Sequence, residues 1–285
     1  DALGRTFTQG LRTQSQRASM VINRGGAGGV IGTTYVARAP ADGLTLLLHA
    51  HPPYGTAPLF MKDPAYDPRE SLVPVTKVGE VPMVLVTSGK NSIENFSQLK
   101  QYVSEHPDKA NYVSSGVGSP GQIYTEMLKA ATGLEIREIP YANPAQGQMD
   151  VISGEVLASM ISFPAAKPHL QSGALKPLLL GSAERADDFP ELPTMAEETG
   201  DPGFRAVISY AFFAPAGTPE DVISGLYRDL SQAYHAEELQ DWLAQNGVAG
   251  EMQQPEAFRR WLQADLDGIS EVVRAAKLTE SGNDR

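Results

Sequence analysis

The residues best suited to hold a small molecule form the run Ser114-Ser115-Gly116-Val117-Gly118-Ser119-Pro120-Gly121. Its glycines let backbone N–H groups approach a ligand closely, and the hydroxyls of Ser114 and Ser115 add donors. The run lies between a strand pattern and a helix pattern. Donors and the positive end of the helix dipole would therefore converge on a carboxylate or phosphate there. The alternative is a plain turn from strand to helix. A second candidate is His49-Ala50-His51, at the end of an apolar run. Residues two apart in extended chain share a face, so both imidazoles could meet one metal ion. No third ligand lies near them in sequence, and His106, His169 and His235 are scattered. A hydrogen-bond donor at His51 fits better, and no metal is expected. The run Gly25-Gly26-Ala27-Gly28-Gly29 invites a dinucleotide fingerprint. Counted from Gly26, the sixth position is Ile31 and the spacing fails. A tight turn into a helix remains.

Catalytic templates fare worse. There is no Gly-x-Ser-x-Gly elbow, no His-Glu-x-x-His and no Gly-Lys-Ser/Thr. The chain has no cysteine, which removes thiolate nucleophiles, disulfides and every cysteine-ligated metal class. Glu237, Glu238, Asp241, Asp265 and Asp267 sit on helix faces and read as solvated surface. Trp242 and Trp261 fall on helix stripes and read as core. No acid/base couple stands out, so no catalytic residue and no cofactor is expected. A formal net charge of −11 argues against a nucleic-acid binder or a polybasic membrane-surface protein.

The elements that would position these residues alternate between short apolar strands and amphipathic helices. Val21-Ile22-Asn23 reads as a strand end, 30–39 as a helix and 44–48 as a buried strand. Strands follow at 81–87, 111–114, 158–163, 175–180 and 211–214. Helices fall at 122–132, capped by Gly133, and at 146–153. Ser92 is expected to cap a further helix carrying Phe96, Leu99 and Val103. Thr218-Pro219-Glu220-Asp221 opens a long helix that Asn246-Gly247 stops, and a second runs over 255–277. Such alternation predicts an α/β fold with mainly parallel sheets. The length of 285 residues suits two domains. No apolar run approaches the roughly 20 residues of a membrane span.

A set of ordered motifs carries a family resemblance. Asn23-Arg24-Gly25-Gly26-Ala27-Gly28-Gly29 is followed by Val36-Ala37-Arg38-Ala39-Pro40-Ala41-Asp42-Gly43-Leu44. Tyr66-Asp67-Pro68, Tyr112-Val113-Ser114-Ser115-Gly116, Ile139-Pro140-Tyr141, Leu192-Pro193-Thr194-Met195 and Ala214-Pro215-Ala216-Gly217-Thr218-Pro219 come in turn. Together they resemble the Bug-type receptors, the extracytoplasmic solute-binding proteins of tripartite tricarboxylate transporters. The resemblance implies an α/β, two-lobed periplasmic-binding-protein clamshell, type II-like, each lobe a mainly parallel sheet flanked by helices. It implies lobe 1 at 1–90 plus 209–285 and lobe 2 at 91–208, with crossings near 88–92 and 207–211. It implies a periplasmic monomer that captures a small carboxylate between its lobes and delivers it to membrane permease subunits, with no nucleic-acid partner. A sensory protein signalling to a membrane partner is the alternative reading.

Carried over by position, Ser114, Ser115, Gly116 and Gly118 would form the lobe-2 carboxylate loop, with Gln122 on the helix behind it. His49, His51 and Tyr54 would face it from lobe 1. Tyr141, Asn143 and Ser162 would line further walls. The chain departs from the family at Gly25 (commonly Pro), Gln122 (His), Ala142 (Lys) and Ile161 (acidic). Losing the acid disfavours an α-amino ligand, and losing Lys and His weakens the case for a tricarboxylate. Family members also carry a strand and a glycine-rich loop before the helix that begins near Asp1. The expectation is that this strand is missing from lobe 1 of the sequence.

Overall fold

A computed structural model of the chain describes residues 1–15, 18–250, 252–276 and 278. The helices and strands in order are α1 (Ala2–Gln14), α2 (Val30–Ala37), β1 (Leu47–His51), α3 (Pro53–Thr56), β2 (Leu72–Ser88), α4 (Phe96–Glu105) and β3 (Asn111–Ser114). Next come α5 (Pro120–Thr132), β4 (Arg137–Pro140), α6 (Pro144–Ser153), β5 (Ala158–Ser162), α7 (Phe163–Gln171) and β6 (Leu175–Leu180). The chain then forms α8 (Met195–Thr199), β7 (Val207–Pro215), α9 (Glu220–Tyr234), α10 (Glu237–Gln245) and α11 (Pro255–Ala275).

Two compact units divide this chain. The first takes Asp1–Glu80 and Ser209–Glu271, and the second takes Val81–Ile208 with the described residues from Val272 on. The first division falls inside β2, earlier than the expected 88–92. The cause is the length of that strand: it runs 17 residues without a break, and its two ends belong to different units.

In the first unit, β7 lies between β1 and β2, and β1 pairs antiparallel with β7 from Leu47↔Phe213 to His51↔Ser209. Helices α1 and α9 pack together because Gly10 presents no side chain. A Cβ there would stand 3.0 Å from both Cβ and the carbonyl oxygen of Ala233. Phe7 meets Phe212 edge-on at 4.9 Å, and Ile223, Leu226 and Leu230 close the same core. A second cluster gathers Tyr54, Tyr66, Phe213, Phe258 and Leu262.

In the second unit the sheet is mixed. β3 pairs parallel with β4 and β5, the product of two strand–helix–strand crossovers through α5 and α6. β2 runs antiparallel to β5 on one side and to β6 on the other. Leu85, Leu99, Tyr112, Leu128, Leu178 and Met195 fill the core on one face; Val84, Val86, Val113, Val151 and Leu180 fill that on the other.

Several boundaries differ from the sequence reading for local reasons. Residues 18–26 form no strand, and Met20 and Ile22 are exposed at 76% and 56%. No described strand lies alongside to pair with them. Leu44 is exposed and β1 begins at Leu47. Asn95, not Ser92, caps α4, accepting from the Gln98 amide at 2.9 Å. The Thr218 hydroxyl donates to the Pro215 carbonyl at 2.7 Å instead of capping α9, which starts at Glu220. The expected single helix to Asn246 is broken at His235–Ala236 into α9 and α10.

Candidate functional site

In the second unit the sequence 114–122 forms a closed circuit of hydrogen bonds at the carboxyl end of β3. Gly116 and Gly118 take left-handed φ values of 90° and 75°, which turn the chain back onto the start of α5. Ser119 caps that 13-residue helix, accepting from the Gln122 amide at 3.3 Å, with Pro120 at its first position. The Ser114 hydroxyl oxygen accepts from the Gly116 amide at 2.8 Å, and its proton goes to Glu138 on β4. The Gln122 side chain accepts from the Gly118 amide at 2.8 Å and donates to the other oxygen of Glu138 at 2.9 Å.

These bonds change what each expected residue offers. Ser114 and Gln122 are buried, and their polar atoms serve the loop itself. The amides of Gly116 and Gly118 are also spent inside it. Ser115 is exposed, and Val117 is 56% exposed. Among the described residues, neither the Ser115 hydroxyl nor the Val117 amide has an internal acceptor. Both precede Ser119, the N-cap of α5, in sequence. Glu138 was not legible as part of this loop. The alternation on β4 is too short to say which side it faces.

The remaining second-unit candidates flank the loop. The Tyr141 amide donates to the Ser114 carbonyl at 2.9 Å, so β4 and β3 hold the tyrosine beside the loop. Its hydroxyl donates to Asp150 at 2.7 Å, and this bond raises the phenol pKa above its ordinary value. Gly147 makes room for it: a Cβ there would stand 2.5 Å from Val113 and 3.0 Å from the Tyr141 ring. Asn143 is exposed and caps α6, accepting from the Ala145 amide at 3.1 Å. Ser162 ends β5 and precedes α7 without a side-chain cap bond.

The first-unit candidates separate. Tyr54 is fully buried, stacks on Phe213 at 4.3 Å and donates to the Pro68 carbonyl at 2.8 Å. Burial pushes its phenol pKa far up. It is a core residue, contrary to the expectation of a ligand-facing one. His51 is 1% exposed and its Nε2 pairs with Asp265 at 2.5 Å, under the edge of Trp261. The expectation of a ligand donor at His51 gives way to a structural pair. Asp265, expected on the solvated face of its helix, reaches inward; only a partner 214 residues away in sequence explains it.

His49 is partly buried. It donates from Nδ1 to the Ala50 carbonyl at 2.6 Å, and burial lowers its pKa from 6.5. Its Nε2 lies so close to the glycine-rich loop that a Cβ on Gly29 would sit 1.9 Å away. It also borders a cavity of about 740 Å³ within the first unit, between α1, residues 18–25 and the start of β1. Phe7, Val21, Leu46, Leu48 and Phe212 make most of that wall apolar, unlike the serine loop. Among the described residues no group of three or more His, Asp or Glu could hold a metal ion. No described helix is long and apolar enough to cross a membrane.

Comparison with known proteins gives this arrangement a context. The model of the tripartite tricarboxylate transporter family receptor matches residues 3–278. The chain is 33% identical over 279 residues to protein BugT of Bordetella pertussis (strain Tohama I), covering 96% of this chain and 84% of BugT. The structure of the periplasmic binding protein BugD superposes with a TM-score of 0.76 at 30% identity, over 98% of this chain and 93% of BugD. Rpa4515 of R. palustris, solved with adipate, gives a TM-score of 0.79 at 28% identity, over 97% and 92% of the two chains. BugD is described as a periplasmic binding protein and the matching family as a receptor. The chain belongs to the tripartite tricarboxylate transporter receptor family.

Proposed function

We propose that this protein is a periplasmic receptor that captures a small organic acid and passes it to the membrane permease subunits of a tripartite transporter. A carboxylate of the ligand binds the Ser115 hydroxyl and the Val117 amide at the N-terminus of α5. The observation that carries this is the division of labour in the loop. Four of its polar groups are satisfied internally, while Ser115 and Val117 are exposed, their hydroxyl and amide have no partner among the described residues, and both precede the capped helix α5. The adipate held by Rpa4515 supports the ligand class, and the periplasmic description of BugD supports the location. No bond is made or broken. The protein acts as a monomer, and desolvation plus hydrogen bonding supply the affinity, about −8 kcal/mol at a micromolar Kd.

The test is a thermal-shift screen of mono-, di- and aromatic carboxylates, followed by calorimetry. Ser115→Ala removes one hydrogen bond to a charged group, worth about 1.5–3 kcal/mol, and should weaken the bound acid by at least about tenfold. A protein stabilised by no carboxylate, or an unchanged Kd in Ser115→Ala, contradicts the proposal.

A further inference from the structure

Glu138 holds a position that nothing about the loop's own sequence suggests. One carboxylate oxygen receives the Ser114 proton and the other receives the Gln122 side-chain amide at 2.9 Å. Ser114 and Gln122 in turn hold the amides of Gly116 and Gly118, each at 2.8 Å. Both ends of the turn are thus tied to one carboxylate. A carboxylate is suited to this because it only accepts, and has lone pairs for both donors. A glutamine at 138 would turn its NH2 toward one of the two donors, and a neutral histidine has a single acceptor nitrogen.

The same group brings a charge. No Lys, Arg or His pairs with Glu138 among the described residues; the nearby Lys129 pairs with Glu126 at 2.7 Å. Glu126 is also the acceptor of the Tyr112 hydroxyl, at 2.9 Å. The loop that presents Ser115 and Val117 therefore has a partly exposed carboxylate tied to it by two neutral hydrogen-bond donors. That field acts against the helix dipole that attracts an anion.

We infer that Glu138 is a positioning and charge-selecting residue of the serine loop, which fixes the turn while restricting it to end groups of low charge, a single carboxylate or its neutral amide. This rests on the reading that the loop holds the ligand. It predicts a receptor whose preference between an acid and the matching amide is set by one side chain that never touches either.

The test compares adipate with adipamide by calorimetry in three proteins. Glu138→Gln removes the charge and leaves the Gln122 amide facing another amide. The preference for adipate over adipamide should rise about tenfold, the scale of one charge at short range in a partly solvated site, and the Gly118 amide should exchange with solvent faster. The exchanged pair Gln122→Glu/Glu138→Gln restores a carboxylate facing an amide. It should recover Gly118 protection and return the preference to the wild-type side. A Glu138→Gln protein that changes both affinities by the same factor overturns charge selection. Unchanged exchange at Gly116 and Gly118 overturns positioning. Ser115→Ala separates the levels. If it weakens adipate while Glu138→Gln leaves the preference and the exchange unchanged, this inference falls alone; if it leaves adipate binding intact, the loop reading falls with it.

Discussion

Removing the Asp265 carboxylate tests the assignment of His51 as a structural group. His51 is 1% exposed, its Nε2 has Asp265 as partner at 2.5 Å, and its Nδ1 has no partner among the described residues. Asp265→Ala therefore leaves a buried imidazole with neither nitrogen satisfied. A buried group stripped of its partner costs about 1–3 kcal/mol. The Asp265 side chain is 25% exposed, so water can enter the space it leaves and recover part of this. About 1.5–2 kcal/mol remains. With an m-value of about 3 kcal/mol/M in urea for a chain of this size, the midpoint of the first unit's transition should fall by about 0.5–0.7 M. The double variant His51→Phe/Asp265→Leu removes both partners and should cost less than the sum of the single changes, because neither leaves the other orphaned. Urea denaturation followed by far-UV circular dichroism reads both quantities. The affinity for adipate should stay within twofold of wild type. A midpoint shift under about 0.2 M refutes the energetic argument. A loss of affinity without loss of stability would return His51 to the ligand site.

Two further outcomes follow from the glycine-rich loop. Gly29 has φ +95° and no room for a Cβ beside His49, so Gly29→Ala should lower stability by about 2 kcal/mol, roughly 5 °C in Tm, whereas Gly25→Ala, with nothing within 4 Å, should be near neutral by differential scanning calorimetry. Equal effects would remove the steric argument. His49 has its pKa lowered by burial, against the opposing bond to the Ala50 carbonyl. The unfolded chain takes up a proton there near pH 6.5 and the folded chain only at lower pH. This contribution is full above pH 6.5 and is lost as the pH falls below it. His49→Phe should flatten the stability slope below about pH 6.5, and an unaltered slope would place the titration elsewhere.

The serine loop was legible because its signal is local. Gly116, Gly118, Ser119 and Pro120 each have one backbone use, and together they spell a turn into a capped helix. The strands 111–114 and 175–180 were readable for the same reason: short apolar runs with clear flanks. What the sequence hid was long-range. Tyr54 carries the residue type of a ligand wall, yet its stacking on Phe213 decides its place. Asp265 is placed by His51, and Glu138 by Ser114 and Gln122, across turns of chain that no periodicity links. The interruption between α9 and α10 was hidden too. The apolar stripe continues through it, and only the backbone turns at His235–Ala236. The strand expected at 21–23 failed because a strand is a property of pairs: apolar alternation without an adjacent ladder leaves Met20 and Ile22 in solvent.

The central claim is that a carboxylate sits on the outward donors of the serine loop. Amide-resolved nuclear magnetic resonance during an adipate titration tests it most directly. The Val117 amide should shift downfield in step with occupancy. The Gly116 and Gly118 amides, already bonded to Ser114 and Gln122, should move far less. Saturable binding that leaves the Val117 amide unshifted would contradict it.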